Sequence, residues 1–285
     1  VSLSEALFAL PQYILPHHPL SRVAQHVTRC ENRVFKDALI RTFIRLYDVD
    51  MSQALEGDPG SYPSFNAFFT RALKPEARSL AAGEKTLLCP ADGAVSQLGN
   101  IEDDTIFQAK GKHYSAMELL GGDADRAAAF QNGRFATIYL SPRDYHRLHM
   151  PVGGRLKQMI HVPGRLFSVN NATVNQVPRL FARNERVVCL FETEAGPMAL
   201  VLVGAIFVAS IETVWHGVVT PPTRAEIQCW DYSDKSLFLD ASAEMGRFNM
   251  GSTIIVLFGE QAANWDAGLA AGTPVRMGQA LGSLV

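Results

Sequence analysis

The chain has 285 residues, 47% hydrophobic and 19% charged, a composition that excludes a disordered or fibrous protein and suffices for a large buried core. Its 26 Lys plus Arg against 28 Asp plus Glu give a near-neutral global field and no reason to expect a nucleic-acid partner. Cys30, Cys89, Cys189 and Cys229 form no CxxC pair, which disfavours a zinc knuckle or a disulfide framework and points to a reducing cytosol.

In the first 50 residues, Leu3, Ala6, Leu7 and Leu10 fall at helical spacing, and the Pro16, His17, His18, Pro19 cluster closes that segment. A second helix is predicted from Leu20 to Leu46. It sets Arg22, Arg29, Arg33, Lys36, Arg41 and Arg45 against Glu31 and Asp37, an excess of four positive charges, with Val23, Val27, Val34, Leu39, Phe43 and Leu46 as the apolar set. A basic amphipathic helix suits an anionic membrane surface, where each basic residue is worth ~1 kcal/mol. The same pattern equally suits a helical cap on the core with a solvated basic face. Val1 to Leu10 carries Glu5 and no basic n-region, unlike a signal peptide. The uncharged run from Ala195 to Ile211 falls short of the ~20 residues of a membrane span and is broken by Gly196, Pro197 and Gly204. A cytoplasmic protein is expected.

Ser64 to Thr70 reads as a short aromatic helix. From Leu87 the texture changes to β-branched runs between turn residues: Gly93 to Leu98, Phe135 to Leu140, Val187 to Phe191, Met198 to Ile211, Val214 to Val219 and Thr253 to Phe258. Helical interruptions are predicted at Ala116 to Leu120 and Ala124 to Gln131. The turn chemistry of Gly272 to Leu284 resembles the hairpins of lipoyl-type and biotinyl-type sandwiches. The expected fold is α+β, with N-terminal amphipathic helices packed on a predominantly antiparallel β-body of lipoyl-like sandwich or barrel character. Without repeats or an obvious linker, residues 1–285 are expected to form one unit, with 1–50 facing the membrane and 51–285 forming the β-rich body.

Three features carry reactive side chains. Asp92 lies in the tight turn Pro90-Ala91-Asp92-Gly93. His146 and His149 stand three apart in a polar loop directly after an apolar strand, a placement favoured by chemistry. No HExxH helix or third ligand accompanies them, so no metal is expected. Met250-Gly251-Ser252-Thr253 precedes a strand. It could supply the serine of a Ser-His-Asp set with His149 and Asp92, but it lacks the second glycine and following helix of a hydrolase elbow. With glycine before it, Ser252 instead faces an unshielded carbonyl that its own hydroxyl could attack.

Y-L-S-P-R-D-Y-H-R-L-H-M-P (139–151), P-G-R-L-F-S-V-N (163–170), F-A-R-N-E-R (181–186), G-A-I-F-V-A-S-I-E-T-V-W (204–215) and M-G-S-T (250–253) together resemble the phosphatidylserine decarboxylases of the bacterial type, from the N-terminal helices almost to the C-terminus. Met250 replaces the family's usual leucine and conserves its bulk. The resemblance implies a pyruvoyl enzyme that makes its own cofactor by serinolysis of the Gly251–Ser252 bond, leaving chains 1–251 and 252–285. It implies a self-cleavage triad of Asp92, His149 and Ser252, with His149 as base and Asp92 orienting the imidazole. The pyruvoyl group from Ser252 would then form a Schiff base with phosphatidylserine and act as electron sink for loss of CO2, giving phosphatidylethanolamine. His146 is expected to protonate the carbanion. Ser168 is expected near the head group, and Phe167 to exclude water. The implied location is peripheral, at the cytoplasmic face of the cell membrane, with a homodimer of processed units possible.

Two rival readings use the same residues differently. A serine esterase built on Asp92, His149 and Ser252 would keep its chain intact. A non-catalytic peripheral membrane module is the second; as a lipoyl-type carrier it would need a lysine at the C-terminal turn, where Arg276 and Met277 stand instead.

Overall fold

The computed structural model describes residues 5, 7, 9–206, 210–221, 226–250 and 252–285. At its centre is a nine-stranded antiparallel sheet in which Thr253–Phe258 lies between Gly196–Val203 and Arg134–Tyr139. This central strand reads T-I-I-V-L-F without polar alternation because both of its faces are covered. Ile254, Val256 and Phe258 enter one apolar cluster with Leu148, Met150 and Phe248, while Ile255 and Leu257 enter another with Phe130, Val188 and Val201. Burial of each such side chain contributes about 1.5–3 kcal/mol, which makes this strand the rigid reference for whatever precedes it.

On one side the sheet continues through Arg186–Thr193, Gly154–Val162 and Gln228–Asp231, with Phe238–Leu239 also paired to Gly154–Val162. On the other it continues through Gly93–Asn100 and Pro274–Val275. A four-stranded sheet is ordered Gly217–Val218, Ile211–Thr213, Glu244–Phe248, Arg147–His149. A three-stranded sheet joins Thr86–Leu88, Ala280–Leu284 and Ala263–Trp265, and Thr105–Ala109 pairs with Lys112–Ser115. The α+β class with antiparallel sheets is as expected. Among the described residues no sheet closes into a barrel, so the barrel part of the expectation is not met.

Three segments differ from their sequence reading, and in one of them, Val214 to Val219, only Gly217–Val218 pairs as strand after a turn at 214–216. The helix expected from Leu20 to Leu46 is two helices, His17–Thr28 and Arg33–Tyr47, the second capped by Asn32, whose side chain accepts from the Phe35 N–H at 3.1 Å. Likewise, the strand expected from Met198 to Ile211 ends at Val203 and resumes at Ile211 in the other sheet. Helix Arg33–Tyr47 buries Ile40 among Phe65, Phe68 and Phe69 of the short helix Phe65–Phe69, with Phe43 edge-on to Phe65 at 5.0 Å, and Met250 packs against this aromatic cluster.

The chain passes repeatedly between the nine-stranded and four-stranded sheets, and three of these crossings meet around Ser252. They follow Arg134–Tyr139 on the way to Arg147–His149, Gly196–Val203 on the way to Ile211–Thr213, and Glu244–Phe248 on the way to Thr253–Phe258. Sheet pairing forces the crossings together. Leu140 N–H donates to the Ser252 carbonyl at 2.9 Å, Phe248 N–H to the His146 carbonyl at 3.0 Å, and Asn249 N–H to the Ser210 carbonyl at 2.9 Å.

Candidate active site

Ser252 stands where the third crossing enters the central strand. It is fully buried, and among the described residues its Oγ has no hydrogen-bond partner, nor has the adjacent Thr253 Oγ1. A buried polar atom left without a partner costs about 1–3 kcal/mol, a cost that native proteins concentrate at functional positions. The approach to the serine is held firmly, because Asn249 Oδ1 accepts from Asn66 Nδ2 at 3.1 Å and Asn249 Nδ2 donates to Ser210 Oγ. Gly251, the expected partner in cleavage, lies outside the described residues.

His149 is buried on the short strand Arg147–His149, and both of its ring nitrogens are engaged. Nδ1 is 2.7 Å from the Ser242 carbonyl, which can only accept, so Nδ1 carries the proton. Nε2 is therefore bare and accepts from the Tyr145 hydroxyl at 3.0 Å. Burial pushes the imidazole below its ordinary pKa, while the bond to the Ser242 carbonyl and the charges of Glu244 and Asp92 pull the other way. The result is a neutral histidine with its basic nitrogen poised.

Asp92 does not orient that ring, and here the expectation is corrected. Its carboxylate is clamped by Arg78, with Nε 2.9 Å from Oδ1 and Nη2 on Oδ2, and Oδ1 also accepts from the Met277 N–H at 2.9 Å. A guanidinium offers a carboxylate two parallel bonds where an imidazole offers one, and the planar fork wins. The Asp92 turn is nonetheless held against the strand leading to the histidine loop. A Cβ on Gly93 would meet the Tyr139 carbonyl at 2.2 Å, so only glycine permits this approach. Asp92, His149 and Ser252 thus gather near the crossings without a hydrogen bond between any two of them.

His146 is fully buried with its ring centroid 4.0 Å from that of Phe69. Nδ1 lies 2.8 Å from the Asp144 carbonyl and so holds the proton, while Nε2 has no partner. Burial, reinforced by the Arg71 charge, pushes its pKa down to about 3. At neutral pH its free nitrogen is a base.

Beside Met250 a mainly apolar cleft of about 470 Å³ runs between Leu15, Phe43, Tyr47, Phe69, Tyr139 and Leu140, with Gln12, Ser168 and Asn170 as its polar lining. Ser168 is therefore at the cleft. Phe167 is not. It is fully buried away from the cleft lining, edge-on to Tyr13 at 5.1 Å and to His17 at 5.2 Å, so it packs the N-terminal segment and does not shield the cleft. Asp92 borders a second, polar cleft with Arg71, Arg78, Asp144 and Tyr145. Tyr145, Ser242, Arg78 and Phe69 were missed by sequence reasoning. Only Tyr145, inside the histidine motif, carried a local signal.

A buried serine with a hydroxyl unpartnered among the described residues, two histidines with assigned tautomers and an adjoining apolar cleft make up the candidate site. Comparison with known proteins gives the class. The family model described as phosphatidylserine decarboxylase matches residues 65–283, and a second, described as PSD, matches residues 7–48. The proteins named phosphatidylserine decarboxylase proenzyme from Methylococcus capsulatus and Pseudomonas entomophila are 58% and 59% identical to this chain, over 97% and 98% of it and over 96% and 98% of their own lengths. That of Azotobacter vinelandii is 58% identical over 98% of this chain and 99% of its own. The chain is therefore a carboxy-lyase. It belongs to the phosphatidylserine decarboxylase family.

Proposed function

We propose that the protein decarboxylates phosphatidylserine to phosphatidylethanolamine, working as one unit that cuts itself between Gly251 and Ser252 and converts Ser252 into a pyruvoyl group. The observation that carries this reading is the buried, partnerless hydroxyl of Ser252 at the start of a rigid strand, in a chain whose relatives are named proenzymes. Serine is a poor nucleophile until a base takes its proton. His149, neutral with Nδ1–H fixed on Ser242, is the proposed base, and the Asp92 charge favours the imidazolium that results. The Ser252 Oγ adds to the Gly251 carbonyl, the peptide C–N bond breaks and an ester forms. Loss of the Ser252 α-proton then expels the Gly251 carboxylate, and addition of water with loss of ammonia leaves a ketone on chain 252–285. A residue whose Oγ and neighbouring Oγ1 have no structural partner is free to be consumed in this way.

The pyruvoyl group supplies an electron sink for the pair released with CO2. The protein's part is to bind, to exclude water and to move one proton. Phosphatidylserine arrives as an ammonium ion. That proton must leave before the amine condenses, and His146, whose Nε2 has no partner among the described residues, is the proposed carrier of the proton that returns to carbon. The cleft beside Met250 offers apolar walls for the glycerol and upper acyl chains and Ser168 for the head group. The test is intact-mass analysis of the purified protein together with CO2 release from phosphatidylserine vesicles. Chains 1–251 and 252–285 are expected, the shorter being blocked to sequencing and modified by borohydride. A free serine amine on the 34-residue chain would exclude the pyruvoyl group.

We also propose that the N-terminal segments bind the anionic cytoplasmic face of the cell membrane peripherally. Leu7 is 64%, Leu10 63% and Ile14 87% exposed, and Arg22, Arg29 and Arg33 of the helices that follow are exposed as well, which supplies both the apolar and the basic element of a peripheral anchor. Among the described residues no helix is long and apolar enough to cross a membrane. Lys36 does not take part, being buried and paired with Asp37 and the Gly60 carbonyl. Leu3 lies outside the described residues, so Ile14 replaces it in the test. Changing Leu7, Leu10 and Ile14 to serine is expected to abolish sedimentation with anionic liposomes. Raising salt from 0.1 M to 1 M, which shortens the Debye length from ~10 Å to ~3 Å, should weaken wild-type binding without abolishing it. Unchanged sedimentation of the triple variant would move the membrane contact elsewhere.

A further inference from the structure

The N-terminal segment has two faces, and the inner one is part of the cleft. Gln12 is only 5% exposed and lines the cleft together with Ser168. Its Oε1 accepts from the Ser168 N–H at 2.8 Å and its Nε2 donates to Thr173 Oγ1 at 3.2 Å. Because the Ser168 N–H can only donate, the orientation of the Gln12 amide is fixed. Thr173 in turn donates its N–H to Asn170 Oδ1 at 3.0 Å, so one glutamine spans the loop carrying Ser168 and Asn170 and the helix Asn171–Gln176 that follows.

Neighbouring contacts repeat the attachment. Arg165 donates to the Tyr13 carbonyl at 2.7 Å, the Leu166 N–H to His17 Nδ1 at 3.2 Å, and Asn175 to Glu5 at 2.8 Å. Residues 12–18 thus hold loop 164–170 from one side, while residues 183–185 hold it from the other through the Arg183 carbonyl, the Asn184 side chain and the Glu185 N–H. On the opposite face of that segment stand Leu7, Leu10 and Ile14, exposed and apolar.

We propose, resting on the function above, that Gln12 is a positioning residue of the substrate cleft: it sets the main chain at Ser168 from a segment whose other face meets the lipid surface. Substrate affinity then depends on Gln12, whereas self-cleavage, at the sheet crossings, does not.

The mature full-length enzyme is assayed on short-chain phosphatidylserine dispersed below its micelle concentration and on phosphatidylserine in vesicles. Gln12→Ala is expected to raise KM on the order of 10-fold for both substrates, which corresponds to about 1.4 kcal/mol, with kcat and the degree of processing unchanged. Thr173→Val removes the anchor on the far side of Gln12 at nearly constant shape, and a smaller rise in KM is expected there. That variant keeps the test valid if Gln12→Ala folds poorly. A fall in kcat at unchanged KM would mean that the glutamine only stabilises the fold, and a rise in KM confined to vesicles would mean that it serves membrane adsorption; each overturns the proposal. Wild-type enzyme that releases no CO2 from either substrate would instead overturn the functional reading on which it rests.

Discussion

Ser252→Ala is expected to accumulate as a single chain of 31.2 kDa with no measurable CO2 release from phosphatidylserine. One atom accounts for both losses. Without Oγ there is no nucleophile for the Gly251 carbonyl, and without the serine side chain there is no elimination to yield the ketone. The substitution should fold normally, because the deleted hydroxyl makes no hydrogen bond and its removal ends the cost of burying it unpaired, about 1–3 kcal/mol. A modest rise in melting temperature alongside complete loss of function is therefore the expected combination, read by calorimetry, intact mass and CO2 release. A stabilised, unprocessed and inactive chain is hard to obtain if Ser252 serves only packing. An esterase built on the same serine separates from this outcome in the wild type, whose chain would stay whole. If Ser252→Ala is processed like the wild type, the cut lies elsewhere and Ser252 is not its source.

How much of this was legible in the sequence depended on the range of the interactions involved. Thr253–Phe258 could be bounded to the residue because an unbroken apolar run ended by Gly259 has no other use. Met198 to Ile211 deceived for the same reason: its apolar run continues while the chain changes sheets, and hydrophobicity records burial, not which sheet provides it. The break after Thr28 was visible only as Asn32, a single capping residue in an otherwise helical pattern. Within the candidate site, His146, His149 and Ser252 could be singled out because each sits in a short motif. What holds them could not. The Ser242 carbonyl that fixes the His149 tautomer is 93 positions away and is a backbone group that any residue supplies. Asp92 was assigned to the wrong partner because a sequence cannot show that Arg78, 14 positions before it, reaches it first. Phe167 was aromatic and next to Ser168, and nothing local revealed that the loop turns to the cleft only from Ser168 onward, leaving Phe167 against Tyr13 and His17.

The two histidines should separate cleavage from turnover. His146→Ala is expected to yield chains 1–251 and 252–285 but to lose decarboxylation by ~10²–10⁴, the usual worth of a positioned acid–base group. His149→Ala is expected to slow cleavage by a similar factor. The pH dependence follows from the same geometry. A base whose pKa is pushed down to about 3 is unprotonated across the physiological range, so its contribution is present above its ordinary value of 6.5 and is lost only as pH falls toward 3. Decarboxylation should consequently show no acid limb from His146 between pH 5 and 8, whereas a solvated histidine would impose one near 6.5. Burial also favours neutral His149, but Tyr145 occupies its basic nitrogen, so serine activation requires that bond to be exchanged for one to Oγ. His146 has no such competitor, since its Nε2 is as partnerless as the Ser252 hydroxyl and the two residues flank the same sheet crossings. That is the physical ground for the one result that would reverse the assignment. If His146→Ala remains uncleaved while His149→Ala processes normally, the free nitrogen of His146 is the base toward Ser252, and the Tyr145–His149 pair must be examined as the proton source for the carbanion.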